Sequence, residues 1–195
     1  MLSAMRHGEK SRVEETPAIG TFQQRLADGD PATFAELHDA CADRVGHYLT
    51  VRLGSREDAE DALQETFLRL ARVRRRLANI ENLVAYVFAI ARNEAARLGG
   101  KRTRRQHGQM PLNADDLFDC ASNEAGVNRH EVAEIATAAL GQLDSDQREV
   151  VELKIYGELT FRQIGQVTEL PQGTVATRYR LAMAKMQRWL KRQGR

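Results

Sequence analysis

Apolar residues recur every three or four positions along most of this chain, which is the period of a helix buried on one face. In the last such stretch the apolar residues are Val175, Tyr179, Ala182, Met186 and Trp189. No stretch favours a strand by alternating apolar and polar residues, and the 195 residues include only four prolines. The sequence therefore predicts an all-α fold.

Capping residues predict where the helices begin. Asp30 followed by Pro31 is typical of a helix start, because the carboxylate caps free amides and proline suits the first turn. The same reasoning predicts further starts at Ser55, Asn82, Asp144 and Thr160. Gly99 is predicted to end the third helix, and Pro171 and Gly173 are predicted to form a turn before the last one.

A break in periodicity divides the chain into two small helical bundles. Residues 106–128 are polar, acidic and aperiodic, which predicts a flexible linker. Residues 1–21 are predicted to be an N-terminal arm. The bundles are therefore expected at 22–105 and 129–195. Their predicted buried positions include Ala59, Leu63, Phe67, Leu70, Leu83, Val87, Ile90, Ala91, Val132, Ile135, Ala139 and Leu143.

The formal net charge of +2 hides strong segregation of acids and bases. Bases gather at residues 72–76, at 101–105 and from Arg178 onward, whereas acids gather at 57–65. Basic clusters of this kind favour contacts with a polyanion, although a single charged cluster is more often only a solvated face.

The second predicted helix has an acidic face that also carries a large apolar residue. Its members are Asp58, Asp61, Gln64, Glu65 and Leu68. A mixed face of this kind fits a basic partner helix. An ordinary solvated face with a stray leucine is the alternative.

Two basic helices are candidates for nucleic-acid binding. Near the C-terminus a helix, a short turn and a longer basic helix follow the order of a helix-turn-helix, a motif that places its second helix in the major groove. The polar face of that helix carries Thr174, Thr177, Arg178, Arg180 and Lys185. Upstream, Tyr86 and Phe88 interleave with Arg92, Asn93, Arg97, Lys101 and Arg102. Aromatic rings beside arginines can stack unpaired bases, unless the rings are buried.

No arrangement of residues predicts catalysis. The chain has no glycine-rich phosphate loop, nucleophile elbow or cluster of metal ligands, so no catalytic residue, metal or cofactor is expected. A small hydrolase using His38 or His130 lacks a suitable partner acid. Cys41 and Cys120 are too far apart in sequence to suggest a zinc site, and Cys41 is expected in the core. No apolar run suggests a membrane span or a secretion leader, which favours the cytoplasm.

Three successive stretches resemble one known family. Residues 34–73, from "FAELHDACADRVGHYL" to "ETFLRLARV", are similar to the polymerase-binding part of bacterial RNA polymerase sigma factors of the extracytoplasmic-function (ECF) group. "NLVAYVFAIARNEAARL" resembles the family's promoter-melting and −10 recognition helix. Residues 143–186, which include "LTFRQIGQVTELPQGTVATRYRL", resemble its −35-reading domain. The resemblance covers about residues 22–192.

The resemblance implies specific roles. It implies that the acidic face of the second helix docks on the β′ clamp helices of core RNA polymerase, and that the C-terminal bundle meets the β flap. Asn93 would capture a flipped −10 base, which requires unstacking. Tyr86, Arg92, Arg97, Lys101 and Arg102 would also contact the −10 DNA. The −35 element would be read by Arg162, Thr174, Thr177, Arg178, Arg180 and Lys185. An anti-sigma partner is also implied.

Some residues depart from the family pattern. The family often has tryptophan at the position of Tyr86 and an acid at that of Arg97. Ala176 and Leu181 replace residues that are often basic, which suggests an altered −35 sequence. The main alternative is a stand-alone helix-turn-helix regulator whose N-terminal bundle dimerises. A dimer seam should be mostly apolar, so the acidic face with Leu68 favours a sigma factor.

Overall fold

The computed structural model describes residues 18–103 and 129–194, and the side chains of 22–99 and 132–194. Within these ranges the chain is helical apart from short connections, so the all-α prediction is confirmed. The N-terminal unit contains α1 (Ala18–Asp28), α2 (Pro31–Leu53), α3 (Arg56–Arg72), a 3-10 helix (Arg74–Asn79) and α4 (Leu83–Thr103). The C-terminal unit contains α5 (Arg129–Gly141), α6 (Ser145–Ile155), α7 (Phe161–Thr168) and α8 (Gln172–Arg192).

The predicted caps are confirmed. Asp30 accepts a hydrogen bond from the Ala32 amide, and Pro31 is the first residue of α2. Thr160 and Gln163 form a complete capping box at the start of α7. Side-chain oxygens of Ser55, Asn82 and Asp144 likewise accept from amides in the first turns of α3, α4 and α6.

Three predicted boundaries were wrong. The predicted arm of residues 1–21 overlaps α1, which begins at Ala18, while residues 1–17 lie outside the described residues. Gly99 does not end α4, which continues to Thr103 because glycine is tolerated in a helix at a modest cost. Gly173 does not lie in a turn, since α8 already begins at Gln172. The predicted linker of residues 106–128 lies outside the described residues.

Some predicted core residues lie elsewhere. Leu63 and Phe67 are only half-buried, and α3 instead buries Ala62 and Thr66 beside Ala59 and Leu70. Leu83 and Ile135 are half-buried as well. Val132 is 57% exposed, because it lies on the outer side of α5. The other predicted core positions, including Val87, Ile90, Ala139 and Leu143, are buried.

The two units pack against each other. A single apolar cluster runs from Tyr48 and Phe88 of the N-terminal unit to Leu153 and Ile164 of the C-terminal unit. A second cluster joins Val51 of α2 to four buried residues of the C-terminal unit, Leu140, Leu143, Val151 and Ala182. The main contacts between the units are made by α4 with α7 and by α2 with α6. The described residues therefore form one body whose core crosses the boundary between the units.

Candidate functional site

The predicted docking residues lie along α3. Asp61 and Gln64 are exposed, and Asp58 and Glu65 are half-buried. Glu65 accepts a 2.7 Å hydrogen bond from Arg72, which lies about two turns further on. Leu68 is 44% exposed and lies on the same helix surface as these acids. The structure thus places a leucine among acids on an accessible helix.

An apolar groove lies beside these acids. It encloses about 400 Å³ between α2 and α3 and is lined by His38, Glu60, Leu63, Gln64, Phe67 and Leu68. The ring centroids of His38 and Phe67 are 4.7 Å apart, so the histidine packs against the groove wall. Sequence reasoning missed the groove because it assigned Leu63 and Phe67 to the core. The sequence did contain a sign of the groove, because the apolar residues of α3 cover a wider part of the helix surface than a single buried stripe requires.

The residues predicted for the −10 element divide into two groups along α4. Asn93 and Arg97 are exposed. Tyr86 and Arg92 are half-buried, and Phe88 is fully buried with its ring centroid 5.8 Å from that of Tyr48. Burial therefore excludes Phe88 from base stacking in this arrangement. Lys101 and Arg102 belong to α4, but their side chains lie outside the described set.

A buried carboxylate orients two arginines on this side of the N-terminal unit. Glu94 is 2% exposed and accepts hydrogen bonds from Arg69 at 2.8 Å and from Arg97 at 2.7 Å. Burial opposes the charge of Glu94, but the hydrogen bonds from Arg97 and Arg69 outweigh it and hold the pKa of Glu94 below its usual value. Glu94 thus fixes the side chains of Arg69 and Arg97 on this surface.

The residues predicted for the −35 element lie on α7 and α8. Thr174, Thr177 and Arg180 are exposed, and Lys185 is half-buried. Arg178 pairs with Asp146 of α6 at 2.9 Å, and Arg162 pairs with Glu81 of the N-terminal unit at 2.6 Å. Of the two departures on α8, Leu181 is 52% exposed and Ala176 is half-buried.

The turn between α7 and α8 depends on a glycine. A Cβ atom on Gly165 would lie 2.7 Å from the carbonyl oxygen of Leu170, closer than real Cβ atoms come to any neighbour. The Leu170 amide donates a 3.0 Å hydrogen bond to the carbonyl of Gly165. Glu169 between them has a φ of 59°, a left-handed conformation. The sequence did not point to Gly165, since its role arises from a contact made only after the turn has formed.

A group of charged side chains lies where the two units meet. Arg92 of α4 donates to both carboxylate oxygens of Glu149, at 2.9 and 3.1 Å. Arg52 of α2 donates to Glu152 at 3.0 Å and to Glu149 at 3.3 Å. No pattern in the sequence predicted these pairs. We call the set of Arg52, Arg92, Glu149 and Glu152 the interface cluster.

Burial changes the titration of groups in and beside the interface cluster. Glu152 is 1% exposed, and burial raises its pKa to about 7, although the charge of Arg52 acts in the opposite direction. Burial also raises the pKa of the neighbouring Tyr48, whose hydroxyl has no hydrogen-bond partner among the described residues. A carboxylate in such surroundings depends on its arginine to remain charged.

The described residues give no indication of metal chemistry. In residues 18–103 and 129–194 no group of three or more histidines, cysteines and acids is placed to hold a metal ion. Cys41 is buried, as predicted, and burial raises the pKa of its thiol to about 11. Across the same ranges, no helix combines the length and the apolar character of a membrane span. Cys120 and the His130 side chain lie outside the described set.

Comparison with known proteins identifies two regions of one family. The family model "Sigma-70 region 2" matches residues 37–106, and the model "Sigma-70, region 4" matches residues 133–186. The ECF RNA polymerase sigma factor RpoE of Cereibacter sphaeroides is 30% identical over 166 residues, which cover 80% of this chain and 86% of that protein.

Solved structures show the same fold. One is CnrH in complex with the cytosolic domain of CnrY, with a TM-score of 0.63 at 19% identity over 89% of this chain and 97% of that one. Another is the sigma factor RpoE of Bartonella quintana in complex with the anti-sigma factor NepR, with a TM-score of 0.62 at 22% identity over 81% and 96%. The sequence matches show that the chain belongs to the ECF group of the sigma-70 family, the alternative sigma factors that direct transcription initiation.

Proposed function

We propose that this sigma factor docks on core RNA polymerase through α3 and reads its promoter with α4 and α8. The observation that carries the proposal is Leu68, which is 44% exposed among acids and beside an apolar groove. In this proposal residues 22–105 form the polymerase-binding and −10 domain, 106–128 the linker, and 129–195 the −35 domain. The matches at 37–106 and 133–186 support this division.

The α3 surface suits a basic helix such as a β′ clamp helix. Asp58, Asp61, Gln64 and Glu65 would form a polar and acidic rim, while Leu68 and the groove would take an apolar side chain. Acids at the rim speed up and orient the encounter, and the apolar centre supplies most of the affinity. A homodimer would place the acids of two copies against each other, which disfavours a dimerising regulator.

The DNA-reading residues have separate roles in the proposal. Asn93 would capture a flipped −10 base, and Tyr86, Arg92, Arg97, Lys101 and Arg102 would contact the adjacent strand. On the −35 element, Thr174, Thr177, Arg178 and Arg180 would reach bases and phosphates in the major groove, with Arg162 and Lys185 on the flanking backbone. The exposure of Asn93, Arg97, Thr174, Thr177 and Arg180 supports these roles.

Other partners follow from the family. The C-terminal unit exposes Val132, Ile155 and Leu181, which offer apolar surface for the β flap. Among the structurally similar proteins, CnrH is bound to the cytosolic domain of CnrY, and the sigma factor RpoE is bound to the anti-sigma factor NepR. We propose an anti-sigma partner here too. In this proposal the polymerase performs the chemistry in the cytoplasm, and the sigma factor needs neither a catalytic residue nor a cofactor.

A binding and transcription assay tests the docking surface. Asp61→Lys with Glu65→Lys reverses two charges on α3 and is expected to abolish binding to purified core polymerase and run-off transcription from genomic promoter fragments. Asp28→Lys with Glu36→Lys makes the same change in charge on α1 and α2, away from this surface, and should leave both intact. Unchanged binding by the α3 variant would remove the assignment. Retardation of DNA by the protein alone, with no transcripts, would favour a stand-alone regulator.

A further inference from the structure

We propose that Leu181 makes the −35 preference of this sigma factor depend on the 5-methyl group of one thymine, which the leucine side chain covers in the major groove. The inference rests on the proposed function, in which α8 enters the major groove at the −35 element. It deepens that function, because it names a base, and a chemical group on that base, which one side chain of this chain would recognise.

Leu181 lies in the middle of the side of α8 that is proposed to face DNA. Residues three, four or seven positions apart share one side of a helix. By this spacing Leu181 shares its side with Thr174, Thr177, Arg178 and Lys185, and we call these five residues the reading face. A single exposed leucine is common on protein surfaces and would mean little by itself. Its place among side chains with proposed DNA contacts assigns it to the same partner.

The packing of α8 determines which side of the helix is exposed. Ala182 is fully buried and lies in one apolar cluster with Val151 of α6. The ring centroids of Tyr179 and of Phe161 on α7 are 5.5 Å apart. These contacts hold one side of α8 against α6 and α7, so the helix is not free to turn about its axis. Leu181 therefore stays outside the core, with 52% of its surface exposed.

Of the two departures from the family pattern on α8, only Leu181 belongs to the reading face. Ala176 lies five positions earlier, and five residues turn an α-helix by about 140°. Ala176 is also half-buried. A change of base preference on this helix is therefore expected to come from Leu181.

The chemistry of leucine selects one group in the major groove. Its side chain has no hydrogen-bond donor or acceptor, and covering the polar edge of guanine, cytosine or adenine would leave that edge without partners. The 5-methyl group of thymine is the apolar group that the major groove displays. Thr177, four residues before Leu181, adds a methyl group to the same face. Burying one group of this size against leucine is expected to raise the affinity about fourfold.

The β flap is the competing partner for this side chain. Val132 and Ile155 also expose apolar surface, but they lie on α5 and at the end of α6, away from the reading face of α8. Assigning Leu181 to DNA leaves these two residues for the flap. A flap contact predicts that Leu181→Ala weakens binding to core polymerase alone, whereas a DNA contact predicts a loss that depends on one base.

Uracil substitution tests the contact, because uracil is thymine without its 5-methyl group. Promoter fragments found by run-off transcription would carry uracil at each thymine of the −35 element in turn. Filter binding would measure their affinity for core polymerase loaded with the sigma factor. With the wild type we expect one position at which uracil lowers the affinity about fourfold. At that position Leu181→Ala should bind both fragments equally, and about as weakly as the wild type binds the uracil fragment.

Two further variants make the test specific. Leu181→Arg supplies donors for the guanine O6 and N7 atoms and should shift the preference at that position from thymine to guanine. Gln187→Ala removes another exposed side chain of α8, six positions further on and on a different side of the helix. It should keep the fourfold ratio of the wild type. Circular dichroism should show that all three variants fold, because both positions are exposed.

Either of two results would refute the contact. One is a wild-type protein that binds thymine and uracil fragments equally at every position, and the other is a Leu181→Ala variant that keeps the wild-type ratio. Weaker binding of that variant to core polymerase alone, with the ratio unchanged, would assign the leucine to the β flap.

Failure of the proposed function gives a different result. If α8 does not read the −35 element, Arg178→Ala with Arg180→Ala leaves the promoter affinity unchanged. If only the leucine contact fails, this double variant still weakens promoter binding while uracil has no effect that depends on Leu181.

Discussion

Arg69 of α3 donates a 2.8 Å hydrogen bond to Glu94 of α4, and this bond joins the helix proposed to bind polymerase to the helix proposed to read the −10 element. Glu94 also accepts from Arg97 on its own helix. The Glu94 carboxylate therefore links α3 to α4 through Arg69, and it also orients the side chain of Arg97, which has a proposed role in DNA binding.

Replacing Glu94 should destabilise the fold. We expect Glu94→Ala to lower the free energy of unfolding by about 1–3 kcal/mol, because the variant lacks two charge-assisted hydrogen bonds to a buried acceptor while both arginines stay half-exposed. Urea denaturation measures the change. Glu60→Ala removes an exposed i,i+4 pair with Arg56 on α3 and should cost no more than about 0.5 kcal/mol. Equal costs for the two variants would contradict the structural role of Glu94.

Glu152 should make stability depend on pH. Its pKa is raised to about 7 in the folded protein, so the folded state binds the proton more tightly than the unfolded chain. Stability from this group is therefore greatest at low pH and is lost as pH rises through the folded pKa. We expect the stability of the wild type relative to Glu152→Gln to fall by about 2 kcal/mol between about pH 5 and about pH 8.

The groups that face Glu152 determine how that experiment is interpreted. Arg52 and Arg148 favour its charged form, and Glu149 disfavours it. Urea titrations of both proteins at several pH values give the difference, in which the other titrating groups largely cancel. A difference that stays nearly constant between about pH 5 and about pH 8 would mean that Arg52 outweighs burial and that Glu152 is charged throughout this range.

Gly165 should be the glycine of the helix-turn-helix that least tolerates replacement by alanine. Gly165→Ala places a methyl group 2.7 Å from the Leu170 carbonyl, and we expect it to lower the melting temperature and to cost about 1–3 kcal/mol. Gly173→Ala is the matched control, since nothing lies within 4 Å of its Cβ position and it lies in α8. That change should stabilise the protein by about 0.5–1 kcal/mol. The melting temperature should therefore fall in Gly165→Ala and rise in Gly173→Ala. A fall of similar size in both variants would refute the contact at the turn.

The arginines of α8 should determine the salt dependence of −35 binding. Arg178→Ala with Arg180→Ala should weaken binding of the polymerase–sigma complex to its promoter fragments. It should also reduce the salt slope, which is the steepness with which the logarithm of the binding constant falls with the logarithm of salt concentration, by about 1 for each phosphate that is no longer neutralised. Filter binding at several salt concentrations measures the slope. Arg25→Ala with Arg56→Ala removes two arginines from α1 and α3 of the N-terminal unit and should leave the slope unchanged. An unchanged slope in the α8 variant would mean that other residues bind the phosphates.

Local signals in the sequence predicted helix starts well and burial less well. Asp30, Ser55 and Thr160 cap helices as expected, because a cap involves only neighbouring residues. Val132 was assigned to the core because it follows a helical stripe, yet which stripe is buried depends on the neighbours of α5. Leu63 was misassigned for the same reason, and the groove beside it was therefore missed.

The candidate site was predictable only where its residues share a helix. The acidic face of α3 repeats at helical spacing and could be read directly from the sequence. The pair of Arg92 with Glu149 could not, because 57 residues separate its members and no pattern indicates that their helices meet. Prediction from sequence therefore placed Arg92 on DNA alone, whereas the structure shows a carboxylate at its guanidinium.

The core shared by the two units also has a consequence for the lifetime of the protein in a cell. Separation of the units would expose Val51 of α2, which is 1% exposed and packs on Leu140, Val151 and Ala182 of the C-terminal unit. Freshly exposed apolar surface promotes aggregation, and cleavage by proteases follows the population of opened molecules. A molecule whose two units separate would therefore be degraded sooner than one whose units stay packed.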